Sequence, residues 1–171
     1  KKENPLILGH EISGVIEEVG AEVKKYKKGM RVAIAPNMGC GVCDRCVSGN
    51  THLCEDYKAF GINLDGGFAE YLKVPAPAVN QGNLVELEEG ISFEEAALVE
   101  PLSCVFNGQS RVNIQMGETV LIVGAGPIGI MHAFLAKIQG ATKVFVNDLS
   151  KDRLAICKEL DPSIITVTSE E

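Results

Sequence analysis

Four cysteines lie within one short stretch of the chain, and their spacing suits a metal ion. Cys40, Cys43, Cys46 and Cys54 form a C-x2-C-x2-C-x7-C run. Short loops of this kind let four thiolates converge on one tetrahedral zinc ion, and such a closed shell leaves no position for water or substrate. We therefore predict a structural zinc site that stabilises the fold. An iron–sulfur cluster and four reduced cysteines without metal are the alternative interpretations.

A glycine-rich hexapeptide, G-A-G-P-I-G, supplies a second chemical pattern. It matches G-x-G-x-x-G, follows the apolar run T-V-L-I-V and precedes a helical stretch. In this context Gly124 allows a tight turn, Gly126 lets the backbone approach a pyrophosphate, and Gly129 permits close packing of helix on strand. The unpaired amides at the helix start also favour phosphate binding. The pattern predicts a dinucleotide-binding loop.

Asp148, nineteen residues beyond Gly129, ends the next predicted strand. A carboxylate at this place accepts hydrogen bonds from the adenosine ribose and repels the 2′-phosphate of NADP, which favours NAD. Arg153 follows on the next helix and is within reach of the same adenosine. The alternative is a similar strand-to-helix turn in a domain that binds another ligand or none.

A histidine and two glutamates are further candidates. His10 and Glu11 belong to a G-H-E sequence before a predicted strand, and Glu100 lies in the apolar stretch A-A-L-V-E-P-L. A lone His-Glu pair is more often a surface feature, but an unpaired carboxylate is costly to bury. A metal ion or a basic partner would remove that cost at Glu100.

The elements that position these residues change in type along the chain. Residues 12–19 and 30–35 read as short strands, 36–60 as an irregular lobe, and 66–75 as a returning strand. Ser92 and Glu95 fit a capping box at a helix start. Beyond Gly117 the sequence alternates between apolar strands at 119–123, 143–148 and 164–167 and helices after the first two. The first of these strands should be covered on both faces, as in a parallel sheet.

Composition excludes several classes of function. The net charge is −7 and hydrophobic residues make up 46% of the chain, so a folded protein with no electrostatic attraction for nucleic acid is expected. The apolar stretch Val120–Ala136 contains glycines, a proline and His132, and reads as strand, turn and helix rather than a membrane span. The first residues do not resemble a secretory signal. We predict a cytoplasmic protein without nucleic-acid or membrane partners.

Taken together, these segments resemble the zinc-containing medium-chain dehydrogenases, and within them the sorbitol and polyol dehydrogenase branch. The resemblance is carried by G-H-E, the cysteine lobe, G-G-F-A-E-Y, E-P-L, G-A-G-P-I-G and D-L-S-K-D-R. It implies a mixed α+β and α/β fold in three parts: a GroES-like β-domain (1–91, with its zinc lobe at 36–60), a connecting helical segment (92–116), and the first half of a Rossmann parallel sheet (117–171).

The resemblance also implies roles for individual residues. His10 and Glu100 would bind a catalytic zinc, with Glu11 as an alternating or second-sphere ligand. Ile128, Asp148 and Arg153 would contact the dinucleotide, together with the loop glycines. The family's catalytic cysteine lies upstream of G-H-E, and the rest of its cofactor sheet lies beyond Glu171. We therefore expect a chain shortened at both ends relative to the family.

The function implied for the parent enzyme is zinc-dependent hydride transfer from a polyol or other secondary alcohol to NAD+. Glu100 favours the polyol branch, because a cysteine usually stands at this place in simple-alcohol dehydrogenases. Threonine or a simple alcohol is the alternative substrate. A different alternative is an inactive, zinc-stabilised fragment. The family also implies a dimer or tetramer at full length, with a small alcohol as the substrate partner.

Overall fold

The computed structural model describes residues 5–168. The chain forms two compact units, of which the first ends at Glu100 and the second begins at Pro101. Each unit is described separately below. The three-part division at residues 91 and 116 remains a prediction.

The first unit contains short strands and helices. In chain order these are β1 (Ile12–Val15), β2 (Arg31–Ile34), β3 (Asn37–Met38), α1 (Asp44–Val47), a 3-10 helix (Thr51–Leu53), β4 (Lys58–Ala59), α2 (Ala76–Gln81), β5 (Leu84–Glu86) and α3 (Phe93–Ala97). An antiparallel sheet has the order β1-β2-β5, and β3 pairs with β4 in a separate antiparallel ribbon. The two strands predicted first are confirmed, although the first ends at Val15 rather than Val19.

The apolar residues of this unit form two small cores. One surrounds Phe60, Met38 and Ile34, and the other surrounds Tyr26 and Val32. The Tyr26 hydroxyl donates to the Leu84 carbonyl at 2.9 Å, so its polar atom is satisfied inside the core. The first of these cores includes Met38 and Phe60, which lie at the two ends of the cysteine lobe.

The strand predicted at 66–75 is wrong. The amides of 66–68 donate hydrogen bonds to carbonyls of 7–9, but residues 7–9 form an irregular segment rather than a neighbouring strand, so no ladder develops. Phe68 is 81% exposed, whereas Leu72 and Val74 pack against the Phe60 core as their alternation suggested. Helix α2 then follows at once, beginning after Pro75.

The capping box at the start of α3 is confirmed. The Ser92 hydroxyl accepts the Glu95 amide, and the Glu95 carboxylate accepts the Ser92 amide in return. The Ser92 backbone and side chain hold the pKa of Glu95 below its usual range. Both groups therefore satisfy amides that a helix start leaves without partners.

Asn83 ties the cysteine lobe to the sheet. Its side chain is 6% exposed, and its amide nitrogen donates to the carbonyls of Ala35 and Asn37 at 2.7 and 2.8 Å. Ala35 follows β2 and Asn37 begins β3, where the chain enters the lobe. The buried Asn83 carboxamide thus donates hydrogen bonds to two backbone carbonyls at the base of the lobe.

Replacing Asn83 with alanine should destabilise the first unit by about 1 to 2 kcal/mol, because two part-buried hydrogen bonds to backbone carbonyls are lost. Denaturant unfolding followed by circular dichroism measures this loss. Asn107→Ala is the matched control, since Asn107 is exposed on a helix and should change stability by about 0.5 kcal/mol or less. Equal losses in the two variants would contradict the role assigned to Asn83.

The division between the units falls within α4 (Val99–Ser110). The second unit continues with β6 (Thr119–Val123), α5 (Pro127–Ile138), β7 (Lys143–Asn147), α6 (Lys151–Leu160) and β8 (Ile165–Val167). The three strands are parallel in the order β6-β7-β8. The predicted alternation of strands and helices is confirmed.

One expectation about β6 is wrong for the residues described. Val120 and Ile122 pack against the core formed by β7, α5 and α6, but Leu121 and Val123 are 63% and 80% exposed. The continuous apolar run is therefore covered on one face only within residues 5–168. No helix in this range is long and apolar enough to cross a membrane.

Candidate functional site

The four cysteine sulfurs converge as the spacing predicts. Their Sγ atoms all lie within 4.8 Å of one another, with Cys40 and Cys46 separated by 4.0 Å and Cys43 and Cys54 by 3.8 Å. A tetrahedral zinc ion with bonds of about 2.3 Å places its sulfurs about 3.8 Å apart. The arrangement therefore fits a zinc ion held by four thiolates.

Backbone amides support the same sulfurs. The Cys40 amide donates to Cys54 Sγ and the Cys43 amide to Cys40 Sγ, both at 3.3 Å. The Val42 and Cys43 amides lower the pKa of Cys40 to about 6. At Cys46 the Gly41 amide acts to lower the pKa, but burial and the neighbouring thiols raise it to about 12. Zinc binding needs all four thiolates, so metal uptake releases protons.

Two residues outside the cysteine pattern help to build this cluster. A Cβ atom on Gly39 would lie 2.4 Å from the sulfur of Cys46 and 2.8 Å from the Thr51 side chain, so only glycine fits there. The Gln81 side-chain amide donates to the Gly39 carbonyl at 2.9 Å. Neither residue was predicted, although the sequence G-C at the first ligand was a usable signal for Gly39.

The G-H-E segment is held by a tight glycine turn. Gly9 has a φ of +95°, and a Cβ atom there would meet the Phe68 ring at 2.7 Å. The Gly67 amide donates to the Gly9 carbonyl at 2.9 Å. A Cβ atom on Gly66 would lie 2.1 Å from that carbonyl oxygen. His10 therefore follows a backbone whose path is set by close contacts with 61–68.

Gly66→Ala should destabilise the first unit by about 3 kcal/mol, because the added methyl meets backbone atoms that cannot move independently. Gly14→Ala is the matched control, since a Cβ atom at Gly14 meets nothing within 4 Å. Urea unfolding of both variants tests this expectation. A loss no larger for Gly66 than for Gly14 would show that the turn is looser than its contacts indicate.

The three residues assigned to a catalytic zinc do not form a metal-binding group here. His10 and Glu100 are half-buried and Glu11 is exposed. Within residues 5–168, only the four cysteines bring three or more histidine, cysteine or acidic ligand atoms together. The stretch around Glu100 is also open, since Leu98 and Val99 are about half exposed. The role of His10, Glu11 and Glu100 as zinc ligands stays a prediction.

The glycine-rich loop has the geometry expected between β6 and α5. Gly124 has a φ of +110°, and a Cβ atom on Gly129 would lie 1.8 Å from the Gly124 carbonyl oxygen. At Gly126 a Cβ atom would meet nothing within 4 Å. Gly129 is therefore required by packing, while Gly126 borders open space at the start of α5.

Asp148 lies directly after β7 and faces this loop. Its carboxylate accepts the Ala125 amide at 2.7 Å and the Ser150 amide at 2.8 Å. The Ser150 amide, followed by the Ala125 amide, holds the pKa of Asp148 below its usual range. The side chain is only 11% exposed and lies 4.0 Å from the Arg153 guanidinium. A charged carboxylate thus borders the loop at neutral pH.

Two more predicted contacts lie around the same loop. Ile128 is 48% exposed in the first turn of α5, and the Arg153 side chain is 63% exposed in the first turn of α6. The predicted dinucleotide contacts therefore lie where two neighbouring strands end and the next helices begin. After β6 these are Gly124, Gly126 and Ile128, and after β7 they are Asp148 and Arg153. Their contacts with a dinucleotide remain a prediction.

Comparison with known proteins finds similarity to several dehydrogenases. Residues 1–83 match the alcohol dehydrogenase GroES-like domain. L-threonine 3-dehydrogenase of Mesorhizobium japonicum is 38% identical over 98% of this chain, and sorbitol dehydrogenase of Bacillus subtilis is 37% identical over 99%. In each case the match covers 47% of the relative. The chain therefore spans about half the length of the curated relatives it matches.

Solved structures of dehydrogenases are also similar to this chain over about half of their own length. A zinc-binding dehydrogenase of Sinorhizobium meliloti 1021, bound to NADP, matches 97% of this chain and 47% of its own, with a TM-score of 0.87 and 34% identity. A short chain alcohol dehydrogenase of Escherichia coli CFT073, complexed with NADH, matches 99% of this chain and 49% of its own, with a TM-score of 0.88 and 32% identity. The chain therefore carries an alcohol dehydrogenase GroES-like domain in residues 1–83, and over nearly its whole length it is similar to about half the length of known zinc-binding and alcohol dehydrogenases.

Proposed function

We propose that this chain provides the structural zinc lobe and part of the cofactor site of a dehydrogenase that transfers a hydride from a polyol or other secondary alcohol to NAD+. The observation that carries the proposal is the placement of Asp148 beside the glycine-rich loop, where its carboxylate accepts the Ala125 amide. A bound dinucleotide supplies the hydride acceptor. This chain's residues bind and orient it.

NAD+ is proposed over NADP+ because of the charge at Asp148. The amides of Ser150 and Ala125 keep its carboxylate ionised, and an ionised carboxylate repels a 2′-phosphate. Similar proteins have been solved with either cofactor, so this similarity alone does not decide between them. The local hydrogen bonds at Asp148 support the choice.

The polyol class is proposed from Glu100 together with the sorbitol dehydrogenase match. L-threonine is the second candidate substrate, because a threonine dehydrogenase is similarly identical. The cytoplasmic location and the dimer or tetramer remain predictions. We also propose that these residues alone do not turn over substrate, since His10, Glu11 and Glu100 form no ligand group within residues 5–168.

Three measurements on the purified chain test this proposal. Elemental analysis should find about one zinc ion per chain, as a single closed cysteine site requires, and calorimetric titration should show NAD+ binding tighter than NADP+ binding. Activity with sorbitol, L-threonine and ethanol, followed by NADH absorbance, should be at background. Turnover of any of the three would contradict the expected inactivity and identify the substrate class, and absence of dinucleotide binding would overturn the cofactor role.

A further inference from the structure

Asp148 is bonded within the chain before any ligand contacts it. The Gly124 amide donates to the Asn147 carbonyl at 2.7 Å, and the next amide, of Ala125, donates to the Asp148 carboxylate at 2.7 Å. Two successive loop amides are thus paired with the last residue of β7 and the residue that follows it.

The loop has few other side-chain attachments. Ala125 is 2% exposed, so its amide has little access to water. Gly126 caps α5 without a side-chain hydrogen bond. The second carboxylate oxygen accepts the Ser150 amide at the start of α6. One side chain therefore connects the glycine-rich loop to the start of the next helix.

We propose that Asp148 is a positioning residue for the glycine-rich loop in addition to a ribose ligand, so that replacing it weakens binding of NAD+ and NADP+ alike. The expected effect on nucleotide binding rests on the proposed function. Each carboxylate oxygen has two lone pairs, so it can accept one backbone amide and still accept a ribose hydroxyl. The two roles are compatible at the same time.

Removal of the charge has different consequences under the two possible roles. If Asp148 only repelled the 2′-phosphate, a neutral residue would admit NADP+, and the Arg153 guanidinium, which lies 4.0 Å from the Asp148 carboxylate, would then attract that phosphate. If Asp148 also holds the loop, alanine leaves a buried Ala125 amide without an acceptor. Asparagine offers one acceptor oxygen and turns an NH2 group toward the other amide. Both variants would then lose the loop arrangement that either cofactor needs.

Amide hydrogen exchange on the cofactor-free chain tests the positioning role directly. Asp148→Asn and Asp148→Ala should speed exchange of the Ala125 amide about tenfold or more, the loss expected for a hydrogen bond to a charged acceptor. An amide of the central strand β7, such as Val146, should keep its protection and so report an intact sheet. Asp152→Asn, the same change on an exposed acid of α6, is the control and should change neither amide.

Titration with NAD+ and with NADP+ then separates the two roles. Loss of affinity for both nucleotides in the Asp148 variants, with affinities preserved in Asp152→Asn, supports the inference. Unchanged Ala125 exchange, or an NADP+ affinity that rises as that for NAD+ falls, overturns it. If the unsubstituted chain binds neither nucleotide while Ala125 exchange still depends on Asp148, the proposed function fails and the positioning role stands.

Discussion

Cys54→Ser is expected to leave the purified chain without zinc and to lower its free energy of unfolding by about 3 kcal/mol or more. Cys54 is the buried member of the four-sulfur cluster, and its sulfur also accepts the Cys40 amide. A serine hydroxyl is a poor zinc ligand, and three remaining cysteines do not form a closed shell. Metal analysis and thermal unfolding measure the two effects.

The control for this experiment is Cys104→Ser, which makes the same chemical change outside the lobe. Cys104 lies exposed on α4, so its replacement should leave both zinc content and stability near their original values. Iron and acid-labile sulfide in place of zinc would show that the cluster is an iron–sulfur centre. Full zinc content in Cys54→Ser would show that this sulfur is not a ligand.

The second large effect is a contrast between two glycines of the same loop. Gly129→Ala should destabilise the second unit by about 3 kcal/mol or more, because its Cβ atom would lie 1.8 Å from the Gly124 carbonyl oxygen. Gly126→Ala should fold with a loss of about 1 kcal/mol or less, the difference between glycine and alanine at a helix N-cap. The latter variant should nevertheless bind NAD+ about tenfold or more weakly, since its methyl enters the space a pyrophosphate approaches.

Unfolding curves should therefore show a large loss of stability only for Gly129→Ala. Titrations should show that Gly126→Ala is folded but binds NAD+ weakly. The Gly126 variant acts as the folded control for the Gly129 variant, and the unsubstituted chain is the binding reference for both. Unchanged NAD+ affinity in Gly126→Ala would mean that the pyrophosphate is not bound at this loop. A stable Gly129→Ala would mean that the loop can relax by well over an ångström.

Sequence patterns were sufficient to predict the features that are formed by residues close together in the chain. The cysteine spacing, the Ser92–Glu95 capping box and the turn at Gly124 each depend on residues close in sequence, and each was predicted correctly. The second unit followed for the same reason, because parallel strands and helices alternate at short range. The structure added distances but no new elements there.

Long-range contacts account for what the sequence did not predict. The strand expected at 66–75 failed because its amides bond to 7–9, an irregular segment that no periodicity reveals. Asn83 and Gln81 support the lobe from positions more than forty residues away in sequence. Exposure of Leu121 and Val123 likewise depends on which helices lie over β6, and an apolar run does not specify that.

The construction of the cysteine lobe has a calorimetric consequence. From Cys40 to Cys54 only Cys54 is buried, while Val42, Val47 and Leu53 are exposed, so this stretch of the lobe hides little apolar surface. Heat-capacity changes on unfolding scale with newly exposed apolar area. Unfolding of the stretch from Cys40 to Cys54 alone should therefore change the heat capacity very little and contribute little to the denaturant m-value. Its order is sustained by coordination bonds and the residues at its base rather than by expulsion of water.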